Sequence, residues 1–224
     1  MVSTVESSRT RELVLLGSVF AVAVAGLIYE LVAGTLSTYL LGGSVVVFSL
    51  VIGLFLFAMG MGAFAAQWIH GQLERRFVEA ELALGLLGGS SALGLFWSFA
   101  FFDEGYTIAL VAVCLVVGAL VGVEIPLLLR ILEKRVEVRV AVSHVLALDY
   151  VGALAGSLVF PLLLLPWLGA VRAAALVGML NLAVAGLGLW WLGDRIPNRR
   201  SLWGIAGIGL AWLGTVLVLS LIHI

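Results

Sequence analysis

Apolar positions in this chain fall into long blocks, each of a length suited to a membrane helix, which needs roughly 20 mostly apolar residues. About seven blocks stand out, at 13–33, 44–68, 80–102, 107–128, 143–165, 170–193 and 203–219. The breaks between them are polar or glycine-rich: TLSTYLLGG, HGQLERRFVE, DEGY, RILEKRVEVRV, the turn at Pro166–Gly169, and DRIPNRR. The first block continues weakly through Tyr39, Leu40 and Leu41, so its helix either runs long or ends in a short re-entrant piece. The pattern predicts an all-α integral membrane protein, a polytopic bundle of about seven transmembrane helices. Residues 1–12 then form a tail and 13–218 the helical domain.

Basic residues orient the bundle. Arg9 and Arg11 precede the first block, and Arg75 and Arg76 follow the second. Arg130, Lys134, Arg135 and Arg139 follow the fourth, and Arg195, Arg199 and Arg200 follow the sixth. Of the 12 Lys and Arg residues only Arg172 falls on the opposite side. Because Lys and Arg accumulate in cytoplasmic loops, the N-terminus is expected in the cytoplasm. Arg9 and Arg11 with Ala21-Val22-Ala23 resemble a signal peptide, but the apolar run continues to Ala33, which favours an uncleaved anchor.

Composition agrees with this class. Hydrophobic residues make up 63% of the chain, charged residues 11%, and the mean hydropathy is +1.22. A soluble domain carries roughly a quarter charged residues. The net charge of −1, with basic residues in separate short loops, gives no argument for a nucleic-acid partner. The lone Cys114 lies in an apolar run, which excludes an internal disulfide and predicts an inert packing residue. Trp97, Tyr106, Trp167, Trp190, Trp191 and Trp203 cluster near block ends as an aromatic belt. Gly85-x-x-x-Gly89, Gly118-x-x-x-Gly122 and Gly152-x-x-x-Gly156 put small residues one turn apart, where backbones approach closely. Gly60, Gly62, Ala63, Ala65 and Ala66 form a similar smooth patch.

Three carboxylates inside apolar blocks are the candidate chemistry: Glu30 in GLIYELVAG, Glu124 in VGVEIPLLL and Asp149 in LALDYVGALAG. A charge at membrane depth costs at least about 2.5 kcal/mol on insertion scales, so it usually faces a partner, a cavity or a pathway. Pro126 and Pro161 each remove an amide donor, freeing the carbonyls of Gly122 and Ser157. A kink at Pro126 would bring Glu124 and a freed carbonyl into one neighbourhood suited to a cation. By helix rise, Glu124 lies roughly 10 Å and Asp149 roughly 7 Å to the cytoplasmic side of the midplane. Sequential helices tend to be adjacent, so these two acids are expected to share a pocket, with Glu30 apart. Tyr29 and Tyr150 flank two of the acids and add ring faces for a cation. The alternative for each acid is a structural one, reaching the interface, pairing with an arginine, or remaining buried, protonated and inert. His144, at the mouth of the fifth block, reads as an interfacial residue.

The stretches IGLFLFAMGMGAFAAQWI, GVEIPLLLR, LALDYVGALAGSLVFPLLLLPWLG and GLIYELVAGTLSTYLLG together resemble the transmembrane domain of membrane-embedded spermidine synthase-like proteins, the polyamine aminopropyltransferase family. The resemblance covers residues 20–70 and 118–170. It carries over Glu30, Glu124, Pro126, Asp149, Tyr150, Gly152, Gly156 and Pro161 as motif members. It implies a bacterial or archaeal inner (plasma) membrane, and a soluble Rossmann-like domain that transfers an aminopropyl group from decarboxylated S-adenosylmethionine to putrescine. That domain's glycine-rich loop and catalytic acids have no counterpart in these residues, so no residue is assigned to catalysis, to a cofactor or to a metal. Leu219–Ile224 read LSLIHI, the translation of a transposon end used in sequencing libraries. This end is therefore expected to be non-native and the protein to continue, and His223 receives no functional reading.

The function expected on this resemblance is to anchor the transferase in the lipid bilayer and to bind or pass a polyamine such as putrescine or spermidine, with Glu30, Glu124 and Asp149 as anionic partners. Two alternatives stand beside it: a stand-alone small-molecule or cation transporter using the same carboxylates, and a purely structural membrane scaffold.

Overall fold

The computed structural model describes residues 2–102, 105–134, 136–191 and 196–222, with side chains from residue 13 to residue 220. Asp103 and Glu104 of the DEGY break, Arg135, Arg195 and His223 lie outside the described residues, as do the side chains of Arg9 and Arg11. The described residues form helices and short connections, with no strand among them. In chain order these are α1 (Val2–Leu41), α2 (Val45–Ala65) with a 3-10 turn (Ala66–Trp68), α3 (Leu73–Phe101) and α4 (Gly105–Leu132). Then come α5 (Val138–Val159), a π-helical turn (Phe160–Leu164), α6 (Leu165–Trp191) and α7 (Arg199–Ile222). Six helical segments are long and apolar enough to cross a membrane: Leu13–Leu41, Val45–Trp68, Leu73–Phe101, Gly105–Leu132, Val138–Trp191 and Arg199–Ser220.

Several boundaries differ from the sequence expectation, each for a local reason. The TLSTYLL stretch does not interrupt α1, because its hydroxyls turn back onto the helix: Ser37 Oγ donates to Ala33 O at 2.6 Å and Thr38 Oγ1 to Gly34 O at 2.8 Å. The break comes at Gly42, whose φ of +86° suits glycine. Ser44 then caps α2, its side chain accepting from Val46 N.

The LERRFVE stretch, expected as a loop, is the first two turns of α3. Arg75 and Arg76 both reach Glu79, at 2.7 and 2.9 Å, while Phe77 and Val78 are buried on the opposite face. The turn expected over Pro166–Gly169 contracts to one residue. Gly169, at φ +72° and ψ +170°, is the non-helical residue inside Val138–Trp191. Upstream, the donors missing at Pro161 and Pro166 coincide with the π turn over Phe160–Leu164. Pro126, by contrast, sits within an unbroken α4.

Helix α1 occupies the centre, packing against α2, α3, α4, α5 and α6. The closest partnerships around it are α3 with α6, α2 with α4, and α1 with α5. Glycine makes these approaches possible. A Cβ on Gly62 would overlap the Ala119 carbonyl, and one on Gly122 would overlap that of Met59. Gly85 and Gly178 face one another's carbonyls between α3 and α6, and Gly152 lies against Phe20 O and Ala23 between α5 and α1. Of the smooth patch in α2, Gly62 meets another helix while Gly60 faces open space.

Gly122→Ala is therefore expected to lower stability by about 1–3 kcal/mol, as overpacking does, measured by thermal unfolding in detergent. Gly53→Ala, at a position with nothing within 4 Å, is expected to leave the midpoint unchanged or slightly raised.

Candidate functional site

The acids fall into two places. Glu30 on α1 and Asp149 on α5 both line a cavity of about 460 Å³ walled by α1, α2, α4 and α5. Tyr150, Gly26, Met59, Gly60, Gly122 and Pro126 are among its other walls. Small residues line much of it, Gly26, Gly60, Gly122, Ala23, Ala63 and Ala153, and a Cβ on Gly60 would meet open space. Glu30 is 8% exposed, Asp149 is half-buried, and Tyr150 is largely open at 70%. The cavity is thus apolar on its walls, with two carboxylates and a phenol converging on it. That chemistry suits an elongated cation with an apolar middle.

A second hollow adjoins it, sharing Ala63 and Pro126 and reaching Gln67 and Arg130. Arg130 Nη1 donates to Ala66 O at 3.1 Å and Ile69 O at 2.8 Å, satisfying carbonyls at the end of α2. A wider, more open concavity at the α1–α2 turn, of about 660 Å³, carries Thr35, Thr38, Tyr39 and Ser44 but no carboxylate or basic group.

Glu124 is not in the cavity, which corrects the expectation that it pairs with Asp149. Two causes are visible. First, α5 packs along α1 and touches α4 only slightly, although α4 and α5 are consecutive. Second, two residues along a helix differ by about 200° in direction, so Gly122 and Pro126 face the cavity while Glu124 faces away. The expected neighbourhood of Glu124 and the carbonyl freed at Gly122 is absent for the same reason. Tyr29 also leaves its expected place beside Glu30, turning about 100° around α1 into the core.

There, Tyr29 meets two residues that the sequence reading missed, Glu81 on α3 and Asn181 on α6, and Glu124 is likewise buried. All four are 2% exposed or less. Asn181 Nδ2 donates to Glu81 Oε2 at 3.1 Å. The Tyr29 hydroxyl lies 3.4 Å from Asn181 Oδ1 and 3.5 Å from Leu84 O, and its ring rests on Gly88, where a Cβ would collide at 2.6 Å. Glu81 Oε1 and both oxygens of Glu124 have no hydrogen-bond partner among the described residues. Reading LERRFVE as a loop had put Glu81 at a membrane edge. A polar Asn181 within MLNLAVAG was the other available signal.

Curated relatives of this chain carry the name polyamine aminopropyltransferase. One from Leptospira interrogans is 46% identical over 175 residues, 78% of this chain and 35% of the relative. One from Ralstonia nicotianae is 48% identical over 175 residues, 77% of the chain and 34% of the relative. One from Mycobacterium tuberculosis is 37% identical over 207 residues, 88% of the chain and 39% of the relative. The chain thus spans about a third of the length of the curated relatives it matches. No family model matches the chain, and no solved structure matches it significantly.

Removing the amide that holds Glu81 leaves a buried polar group without any partner, which costs about 1–3 kcal/mol. Asn181→Leu is expected to destabilise the bundle by that amount in detergent unfolding. Tyr29→Phe, which removes only two long hydrogen bonds, is expected to cost less than about 1 kcal/mol.

Proposed function

We propose that this chain, which belongs to the polyamine aminopropyltransferase family, is the membrane-embedded part of a polyamine-synthesising protein and binds a polyamine in the cavity holding Glu30 and Asp149. The observation that carries this reading is the convergence of two carboxylates, from helices far apart in sequence, on one apolar-walled cavity. A diamine has a positive group at each end and methylenes between. Its ammonium groups match Glu30 and Asp149, and its chain matches the alanine and glycine walls. Tyr150, at the open side, offers a ring face to a cation, a contact worth about 0.5–2 kcal/mol. Glu124 and Tyr29 no longer belong to this binding set. Aminopropyl transfer, with decarboxylated S-adenosylmethionine as co-substrate and putrescine as acceptor, falls in this reading to a soluble domain that these residues do not form.

In the same reading, residues 1–12 are a cytoplasmic tail and 13–218 make seven crossings of a bacterial plasma membrane. The 54-residue segment Val138–Trp191 supports two crossings. At 1.5 Å per residue it is about 80 Å long, against a hydrocarbon core of about 30 Å, and it breaks at Gly169. The side carrying Arg75, Arg76, Arg130 and Lys134 is cytoplasmic.

Spermidine titrated into the purified full chain in nanodiscs tests the site. Glu30→Gln with Asp149→Asn is expected to weaken binding by about tenfold or more, since a charge-assisted contact is worth roughly 1.5–3 kcal/mol. Glu124→Gln is expected to leave affinity unchanged. No spermidine binding, or equal affinity in the Glu30/Asp149 variant, overturns the reading. For topology, in a Cys114→Ala background, Gly43→Cys is expected to react with an impermeant maleimide on intact cells. His70→Cys is expected to react only after the membrane is opened, and the reverse pattern overturns the orientation.

A further inference from the structure

The packing of its walls sets the length of the Glu30–Asp149 cavity. Gly152 lies against Phe20 O and Ala23, and Gly156 against Val24 O and Leu27, so α1 and α5 run parallel and in step. Asp149, three residues before Gly152, is therefore level with about Val19, and Glu30 lies about 11 residues further along α1. Helix α2 gives the same register from the other side. Phe48 lies against Gly34, so Ala63, about 15 residues further back along α1, is also level with Val19, at the Asp149 end of the cavity. At 1.5 Å per residue the two acids are separated by roughly 16 Å along the helices. Side chains on parallel helices lean the same way, toward the N-termini, so leaning leaves that separation nearly unchanged. Glu30 is only 8% exposed, and neither acid has a hydrogen bond or ion pair among the described residues.

A third acceptor lies between the acids. Pro126 has no amide hydrogen, so the Gly122 carbonyl loses its helical donor, and both residues line the cavity. Val121 packs on Gly26, which places the neighbouring Gly122 partway between the levels of Val19 and Glu30. At the Asp149 end, the hollow beyond Ala63 and Pro126 reaches Arg130, whose charge opposes any further cation. We propose that the cavity is built for a linear triamine, with a terminal ammonium group on each acid and the central one on the Gly122 carbonyl. This rests on the polyamine reading and refines it. A diamine carries the right charges, but an extended chain gains only roughly 3.5 Å every three bonds. Putrescine, with five bonds between its nitrogens, is then about 6 Å long, and spermidine, with nine, about 10 Å. A charge-assisted contact of about 2.8 Å at each end lets spermidine bridge roughly 16 Å and leaves putrescine short.

Calorimetric titration of the full chain in nanodiscs with spermidine, diaminooctane and putrescine, corrected against empty nanodiscs, tests this. Diaminooctane has the length of spermidine with a methylene in place of the central amine. Spermidine is expected to bind about tenfold or more tightly than either, since each diamine forgoes a charge-assisted contact. Glu30→Gln and Asp149→Asn, made singly, are each expected to weaken spermidine about tenfold. Each is expected to weaken putrescine far less, because the remaining acid still holds it. Pro126→Ala returns an amide hydrogen to the Gly122 carbonyl and is expected to erase the advantage of spermidine over diaminooctane. Putrescine binding as tightly as spermidine, or losing as much in both single variants, overturns the proposal, as does diaminooctane matching spermidine. Those results leave the polyamine reading standing, whereas no binding by any of the three amines removes both. Should a variant fail to fold, the wild-type order of the three amines decides.

Discussion

Where Gly62 and Gly122 meet the carbonyls of Ala119 and Met59, α2 and α4 touch backbone to backbone, and the rest of the bundle is arranged around contacts of this kind. In lipid there is no hydrophobic drive to press one apolar helix on another, so dispersion between closely approaching backbones carries the association. A single methyl at such a position would push the pair apart. The same device joins α3 to α6 through Gly85 and Gly178, and α5 to α1 through Gly152 and Gly156. These contacts fix which helices are neighbours and how each is rotated about its own axis.

Rotation then decides the chemistry of each acid. On α1, Glu30 faces the cavity with Gly26, and Tyr29 faces the core. On α4, Gly122 and Pro126 face the cavity, and Glu124 the core. Helices α1 and α4 therefore each separate two polar environments, one open on one side to a ligand and one closed. A carboxylate in the open place can gain a cation from outside. In the closed place it depends on buried neighbours: Asn181 donates to Glu81, while neither oxygen of Glu124 has a hydrogen-bond partner among the described residues.

Much of this was legible in the sequence, and the parts that were not share a cause. The apolar blocks gave the helices, and the three small-xxx-small pairs marked real helix contacts, because block length and residue size are local properties. Helix boundaries failed where side chains compensate for a local signal: Ser37 and Thr38 bond back to α1, and Arg75 and Arg76 both pair with Glu79. Glu30 and Asp149 were legible as carboxylates inside apolar blocks, but their meeting at one cavity was not. It rests on α5 choosing α1 over α4, a long-range choice made by Gly152 and Gly156 against Phe20, Ala23 and Val24. The direction of Glu124 away from Pro126 was legible in principle, since positions two residues apart on a helix do not share a face. Glu81 was lost with the misplaced start of α3.

The pairing of α1 with α5 is the claim on which the Glu30–Asp149 cavity depends, and a disulfide tests it directly. A Cβ on Gly156 would lie 3.5 Å from that of Leu27, within the range a disulfide spans. With Leu27→Cys and Gly156→Cys in a Cys114→Ala background, mild oxidation of the membrane-embedded chain is expected to give the intramolecular cross-link in high yield. A folded chain that leaves both thiols free would contradict this packing, and with it the meeting of Glu30 and Asp149 in one cavity.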